Sequence, residues 1–583
     1  MCEDMIGGAC RWEVALMRRS VWRHRALYAL IMLAALAVLT HWFFHAGVLM
    51  KADTTFHLNR VMGIAAGLAA GDFPVYVHGF QMQGYGTPDG ALYPGLLLYF
   101  PALLVCFGVP LAVAFHVYWI FAVCFGFFAA WRGYTLLSGR AFIGLVSALL
   151  FSSAGFLFLW GLGMTVGDYV AWYFLPYVAG ALYAVLRREG MARHWPELVL
   201  SFSMVAGSHV IMTMFCLALL PLGIWFWRRG LCDAARRWAL LRTAGFSFAL
   251  SLYLAVPFAY FYSRVDFHIR HAAVSSLATY TSSFAGLWSA QLWWGWPLVL
   301  LLVMALFSRA MRRRRAFLLT AMLAALCTAM NWSGFPWRAI ESIPQLGSAL
   351  PLFQFPIRFL ILGLVPLAYF LARYLAAAVW AALSRVGEPK RFDERLIALL
   401  LALLAVMYGM VATERTDFEM AGIHVTWRVA YEDFDAHSLP SFGPRVSSDY
   451  AYADIDASHF FEDGTVPQPG EVRALAGDLT VSSFHKVGTR LSFSYDSPAG
   501  AEVMVPLFFY PGYEAQVDGE RLTPRAEGPH VLALSLPAGE HQVTVRYRGP
   551  LAFRVSAWFS LLALFLFCFA VWRQWRRRRD SFA

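Results

Sequence analysis

KADTTFHLNR, residues Lys51 to Arg60, follows directly on the first long apolar run of the chain, Ala26 to Ala46. An acid, a histidine and an arginine therefore stand where the chain would leave a bilayer. Asp53 and His57 share one face of a helix that starts near Thr54, and Arg60 falls one turn further on. Whether this cluster is a site or a capped helix start depends on what surrounds it.

The 583 residues are 59% hydrophobic and 14% charged, with a mean hydropathy of +0.56. That is the composition of a polytopic membrane protein rather than a soluble enzyme. The net charge of +11 does not point to nucleic acid, because the arginines gather in short clusters between apolar runs. Arg18, Arg19, Arg23 and Arg25, then Arg187 and Arg188, Arg228, Arg229, Arg236 and Arg237, Arg312 to Arg315 and Arg576 to Arg579 all fit cytoplasmic loops. The run Ala26 to Ala46 ends in HWFFH with no small-residue cleavage pattern, so it reads as a retained anchor. The eight cysteines fall in apolar runs or at expected cytoplasmic positions, and no disulfide framework is expected.

A hydrocarbon core of about 30 Å takes roughly 20 apolar residues per helix, which gives about 12 transmembrane helices with both termini cytoplasmic. The short run Leu92 to Phe107, interrupted by Pro94 and Pro101, is assigned to an interfacial or re-entrant helix of a first outer loop, 47–110. About Ala141 to Trp160 reads as a single outward-going span, Pro196 to Trp227 as an up-and-down pair turning near Gly207 to His209, and the surroundings of Lys390 as a basic turn. The expected organisation is a cytoplasmic N-terminus 1–25, a transmembrane domain 26–411, an extracytoplasmic domain 412–550, a last helix 551–572 and a basic tail 573–583. Residues 412–550 carry 20 acidic against 10 basic side chains, as a water-exposed domain on a basic membrane body would. From about 478 to 549, LTVSSF, TRLSFSY, AEVMVPLFFY, EAQVDG, HVLALSL and HQVTVRYR alternate as strands between turns, which predicts a β-sandwich or jelly roll.

Four segments in order, DTTFHLNRV with YGTPDGALYPGLLLYFPALL, GDYVAWYFLP, LFQFPIRFL, and VPLFFYPGYEAQVDG with LPAGEHQVTVRYRGP, carry a resemblance. The chain resembles the YfhO-like bacterial membrane proteins, which overlap the PTPS-related membrane domain, among the GT-C glycosyltransferases. The first half of the outer domain, Thr413 to Asp478, departs from that pattern and is given no role. The resemblance implies a GT-C-like α-helical membrane fold in a bacterial plasma membrane, with the site and the β domain facing outward. It also implies transfer of a sugar from a polyprenyl-phosphate (undecaprenyl-phosphate) donor to a cell-envelope glycopolymer or lipid. A departing polyprenyl phosphate needs no strong acid, so the chemistry asks for a base on the acceptor hydroxyl and for cations on the phosphate.

Asp53 is the candidate base, although an Asp before Thr54 is equally a preferred N-cap. His57 either orients Asp53, binds the donor or is simply solvated. In the resemblance Asp168 is the second acidic position, holding acceptor or a metal, and it too stands where a helix is capped. Asp53, His57 and Asp168 make an incomplete ligand set, so a divalent cation is a candidate cofactor without a dedicated site. Arg358 follows Pro356 at a helix start, where a cation is unfavourable unless an anion is present. A phosphate docked there would satisfy both the amides and the guanidinium, whereas the plainer reading is an arginine snorkelling to headgroups. Gln354 is its polar neighbour, and Arg60 and His209 join the substrate-binding candidates. Tyr85, Tyr93 and Trp172 suit a sugar subsite, or belong to an interfacial aromatic belt. Arg373, deeper in the same helix, is expected to snorkel to the cytoplasm.

Two other classes fit the same residues. A transporter or flippase for a lipid-linked substrate would use the cavity for binding alone, but it calls for ionisable groups at mid-bilayer and internal repeats, of which the sequence has few. A non-catalytic envelope assembly factor would bind glycan through its β domain.

Overall fold

The computed structural model describes residues 26–41, 48–50, 53–162, 166–188, 190–271, 276–283, 294–386, 391–414, 427–429, 448–456, 460–461 and 464–580. The expected cytoplasmic N-terminus 1–25, the loop residues 284–293, the turn around Lys390 and most of 413–447 lie outside the described residues.

Helices α1 (Ala26–Thr40), α2 (Thr54–Ala69) and α3 (Tyr99–Cys106) lead into α4 (Leu111–Ser138), α5 (Ala141–Ser152), α6 (Gly155–Leu162) and α7 (Val166–Arg187). The chain continues through α8 (Trp195–Ala206), α9 (Val210–Phe226), α10 (Ala234–Arg264), α11 (Trp296–Phe307), α12 (Arg315–Ala329), α13 (Leu360–Val386), α14 (Arg391–Glu414) and, after the β domain, α15 (Leu551–Asp580). Among the described residues six helices are long and apolar enough to cross a membrane: α4, α7, α10, α13 with its preceding turn, α14 and α15. The other expected spans are shorter apolar helices of 10–17 residues, and the span expected over Ala141 to Trp160 is broken into α5 and α6 at Ser153 and Ala154. Tyr99–Cys106 is a single short helix packed on α2, with Phe107 82% exposed at its end.

Helix α7 is the axis of the bundle, with 89% of its most apolar stretch buried, against 17% for α10 and 22% for α15. It can be central because it packs backbone to backbone on α4: a Cβ on Gly180 would collide with the Gly133 carbonyl, and one on Gly133 with that of Pro176. Small residues are what allow such close approach where lipid offers helices no hydrophobic drive to associate.

β1 (Val48–Met50) pairs antiparallel with β2 (Trp427–Val429). The β domain has a four-stranded sheet made, in order, of β3 (Arg473–Ala476), β6 (Ala501–Phe508), β10 (Val531–Leu536) and β9 (Arg525–Glu527), and a five-stranded sheet made of β4 (Thr480–Val487), β5 (Arg490–Ser497), β11 (Gly539–Tyr547), β7 (Tyr513–Val517) and β8 (Glu520–Leu522). Its strands run from β3 (Arg473–Ala476) to β11 (Gly539–Tyr547), all paired antiparallel, with alternate residues buried between the sheets. It sits on the loop after α2. The Phe508 amide donates to the Tyr85 carbonyl at 3.0 Å, and Lys486 Nζ donates to the carbonyls of Gly84 and Pro506. Burial there pulls the Lys486 ammonium down to about 7. The Gly79 backbone lies directly against that of Gly488, leaving no room for a side chain.

The α4–α7 contact predicts that Gly180→Ala, though a favourable helix substitution in isolation, costs about 1–3 kcal/mol by overpacking. Gly245→Ala, at an exposed α10 position with open space around it, should cost nothing. Melting temperatures of the two variants in one detergent check the contrast.

Candidate active site at the helix N-termini

Asp168 lies in the first turn of α7 and Arg358 in the turn Pro356–Phe359 that starts α13; both are buried. Arg358 donates from Nη2 and Nε to Asp168 Oδ2 at 2.7 and 3.0 Å. Its Nη1 donates to Gln354 Oε1 at 2.7 Å and to the Phe353 carbonyl at 3.0 Å. Gln354 itself takes a left-handed backbone, φ 63°, which turns its amide toward the arginine. His209 caps α9, its Nδ1 accepting from the Met212 amide at 3.4 Å while lying 3.2 Å from Asp168 Oδ1. Gly167 leaves room for this arrangement, since a Cβ there would press on the Tyr93 hydroxyl and the His209 ring.

Asp53 precedes α2 but makes no side-chain capping bond, so its carboxyl is not consumed by the helix it begins. It is partly exposed yet crowded by protein. Burial, then the like charge of Asp168, push it up to about 7, with Arg358 pulling the other way and Asp449 adding to the rise. Asp53, Asp168 and Arg358 thus act on one another within one cluster. Aromatic rings fill the space around it: Tyr93 meets His209 edge-on at 5.3 Å, and Phe56 stacks on Tyr450 at 5.7 Å. His57 is buried and held well below its usual range, chiefly by burial and then by Arg60 and His209, so it is neutral.

Other residues take different positions from those expected. Arg60 does not face the cluster's open side. It is 1% exposed, donates to the Tyr93 carbonyl at 2.6 Å, reaches Asp89 Oδ2 with Nε at 3.4 Å and lies over the Tyr93 ring at 4.7 Å. Asp89 also binds His78 Nδ1 at 2.7 Å and the Thr87 hydroxyl at 3.0 Å. Arg60 therefore braces the loop, because its charge is met inside the protein before any ligand reaches it. Tyr85 is fully buried among Phe460, Phe461 and Phe508, with its hydroxyl on the Pro467 carbonyl, and pins the β domain rather than lining a subsite. Trp172 is a core residue, donating to Met212 Sδ and edge-on to Phe156. Arg373 is exposed beside the Tyr369 hydroxyl. Asp449 and Tyr450 enter the cluster from a stretch the sequence left without a role, and Asp89 lay unremarked inside YGTPDGALYP. Only the density of acids and aromatics in those stretches could have drawn attention to them. Among the described residues no group of three His, Cys, Asp or Glu side chains is close enough to hold a metal ion.

No protein-family model matches the chain, and no curated protein matches it. The resemblance to YfhO-like proteins therefore rests on the quoted segments alone. Among solved structures, ArnT from Cupriavidus metallidurans bound to undecaprenyl phosphate is similar at 12% identity and a TM-score of 0.39, over 66% of this chain and 76% of that one. The apo state of the same protein gives 13% identity and the same TM-score, over 67% and 76%. At that level no residue role is carried across.

Beside the cluster an apolar cavity of about 660 Å³ runs between α8, α9 and α10, from Ala91 and Pro94 down to Ile224 and Leu240. Its upper end adjoins Tyr93, and its Val210 follows His209 directly.

The brace predicts that Asp89→Ala, which leaves the Arg60 guanidinium buried without its carboxylate, destabilises the protein by about 3–5 kcal/mol. Asp89→Ala combined with Arg60→Met should recover much of that loss, and denaturation midpoints of both variants check it.

Proposed function

We propose that this protein is a membrane glycosyltransferase that moves a sugar from a polyprenyl-phosphate donor, undecaprenyl phosphate being the expected carrier, to a cell-envelope glycopolymer or lipid. The observation that carries this reading is a carboxyl raised to about 7, Asp53, sharing one cluster with a guanidinium, Arg358, near an apolar cavity whose lining residues Pro94 and Val210 directly follow Tyr93 and His209 in the chain. Such a pair matches the two needs of the reaction: a base whose strength suits neutral pH, and positive charge where a phosphate departs. The cavity suits an isoprenoid chain, whose apolar surface gains by burial.

In the proposed step ionised Asp53 takes the proton of an acceptor hydroxyl as that oxygen bonds to the anomeric carbon. The bond from that carbon to the phosphate oxygen breaks, and its electron pair leaves with the polyprenyl phosphate beside Arg358. Asp168 acts here as a positioning residue, fixing the guanidinium through two bonds and facing His209. An outward-facing site is supported by charge bias: Arg187, Arg228, Arg385 and Arg576 to Arg579 lie at the helix ends away from the cluster and the β domain.

Sugar release from a polyprenyl-phosphate donor, followed with the full chain in detergent or nanodiscs, tests the assignment. Asp53→Asn should lower kcat by about 10²–10⁴-fold with little change in donor KM, and unchanged turnover would remove Asp53 from the chemistry. Arg358→Lys should raise donor KM, because a lysine cannot reproduce the forked contacts. For the wild type, kcat/KM should climb as pH rises through about 7, since the base must be ionised. Asp168→Asn removes a like charge and frees Arg358 to act on Asp53, so the midpoint of that limb should move to lower pH whatever happens to its height.

A further inference from the structure

On the far side of the Phe73–Val77 segment from Arg60 and His78 lies a second cavity, about 260 Å³, between the end of α2, the β domain and the start of α15. Four arginines line it: Arg490, Arg546, Arg548 and Arg554. Strand register gathers three of them. β11 pairs antiparallel with β5 through Val545 opposite Leu491, so the next position sets Arg546 opposite Arg490, and Arg548 follows on the same face. Like charges set directly opposite destabilise a sheet unless something neutralises them. Glu514 meets that need in part, accepting from Arg546 Nη2 and forming an ion pair with Arg548 Nε, each at 3.3 Å. Asp72 is the acid of the lining itself, and burial raises its carboxyl to about 6 against the pull of Arg546, Arg548 and Arg490. Arg490 and Arg554 have no described carboxylate within ion-pair distance. Four guanidiniums against two carboxyls leave the cavity cationic.

Its height in the fold points to what neutralises it. Arg554 stands in the first turn of α15, whose membrane-spanning stretch begins at Leu551. Phe73, 61% exposed, lines the cavity with apolar surface, and Leu551, 66% exposed, begins the helix that carries Arg554. Guanidiniums at the level where a helix enters the bilayer, rimmed by exposed apolar side chains, meet the phosphates of that leaflet.

We propose that this cavity binds the phosphate headgroup of a membrane lipid, separately from the Asp53 cluster and without dependence on the transferase reading. The test uses the full chain in neutral detergent, with short-chain phosphatidic acid and phosphatidylcholine as probes in equilibrium binding. Phosphatidic acid should bind about tenfold more tightly or better, and an Arg490→Gln/Arg554→Gln double variant, melting like the wild type, should lose that preference. Arg490→Lys/Arg554→Lys, which keeps both charges, should retain most of it. Equal affinities for the two lipids in the wild type, or a preference that survives in the glutamine variant, would overturn the proposal. Millimolar inorganic phosphate should leave the lipid bound; displacement would assign the cavity to soluble phosphate and overturn the lipid assignment.

Discussion

The buried pair of Asp168 and Arg358 is the interaction on which the remaining geometry depends. The two residues are 190 positions apart, and their contact fastens the N-terminal end of α7 to that of α13. Taking either charge out of water alone costs several kcal/mol, so each makes burial of the other tolerable. The helix dipoles make the match asymmetric. A carboxylate in the first turn of α7 is stabilised by the free amides there, whereas a guanidinium in the turn starting α13 is opposed by them. Asp168 thus supplies the anion that the position of Arg358 requires, and Gln354 and the Phe353 carbonyl take the donors left over.

This commitment decides the state of Asp53. Because Arg358 is already engaged, Asp53 receives its attraction without a direct partner among the described residues while feeling the repulsion of Asp168 and Asp449. A carboxyl in that position is poised near neutrality instead of being held ionised. Its location is fixed from the other side by Arg60 and Asp89, which hold α2 against the loop 74–95, and by the β domain, which closes over that loop through Tyr85 and Lys486. The β domain is therefore part of the site's support, and the turn Ser448–Tyr450 that precedes it in the chain contributes Asp449 and Tyr450 to the cluster.

Much of the fold was legible because its signals are local. The apolar runs, the break at Gly207 to His209 and the alternating strands of the β domain follow from residue spacing. The division of the span expected over Ala141 to Trp160 was not, because a chain break inside a uniformly apolar run leaves hydropathy unchanged. In the site, an arginine after Pro356 calls for an anion, read from sequence as a phosphate, and residue spacing cannot say that Asp168 of the same chain lies against it. Arg60 and Tyr85 illustrate the reverse limit. Their types suit ligand binding, and only the tertiary partners Asp89 and Phe508 reveal that both are already occupied. Asp449 reached the cluster from a stretch with no periodic pattern to place it.

Arg358 has five N–H donors, and four are used among the described residues: one from Nε and one from Nη2 on Asp168, and two from Nη1 on Phe353 and Gln354. In the proposed transferase an incoming phosphate must take the last N–H or displace one of those from Asp168. Either way a new negative charge arrives close to Asp53 and strengthens it as a base while reducing the fraction that is ionised. Displacement would also return Asp168 to the cluster as a less screened like charge, acting in the same direction. Donor binding and base strength are then coupled through a single guanidinium, and the working pH of such a site lies above the value at which Asp53 titrates in the empty protein.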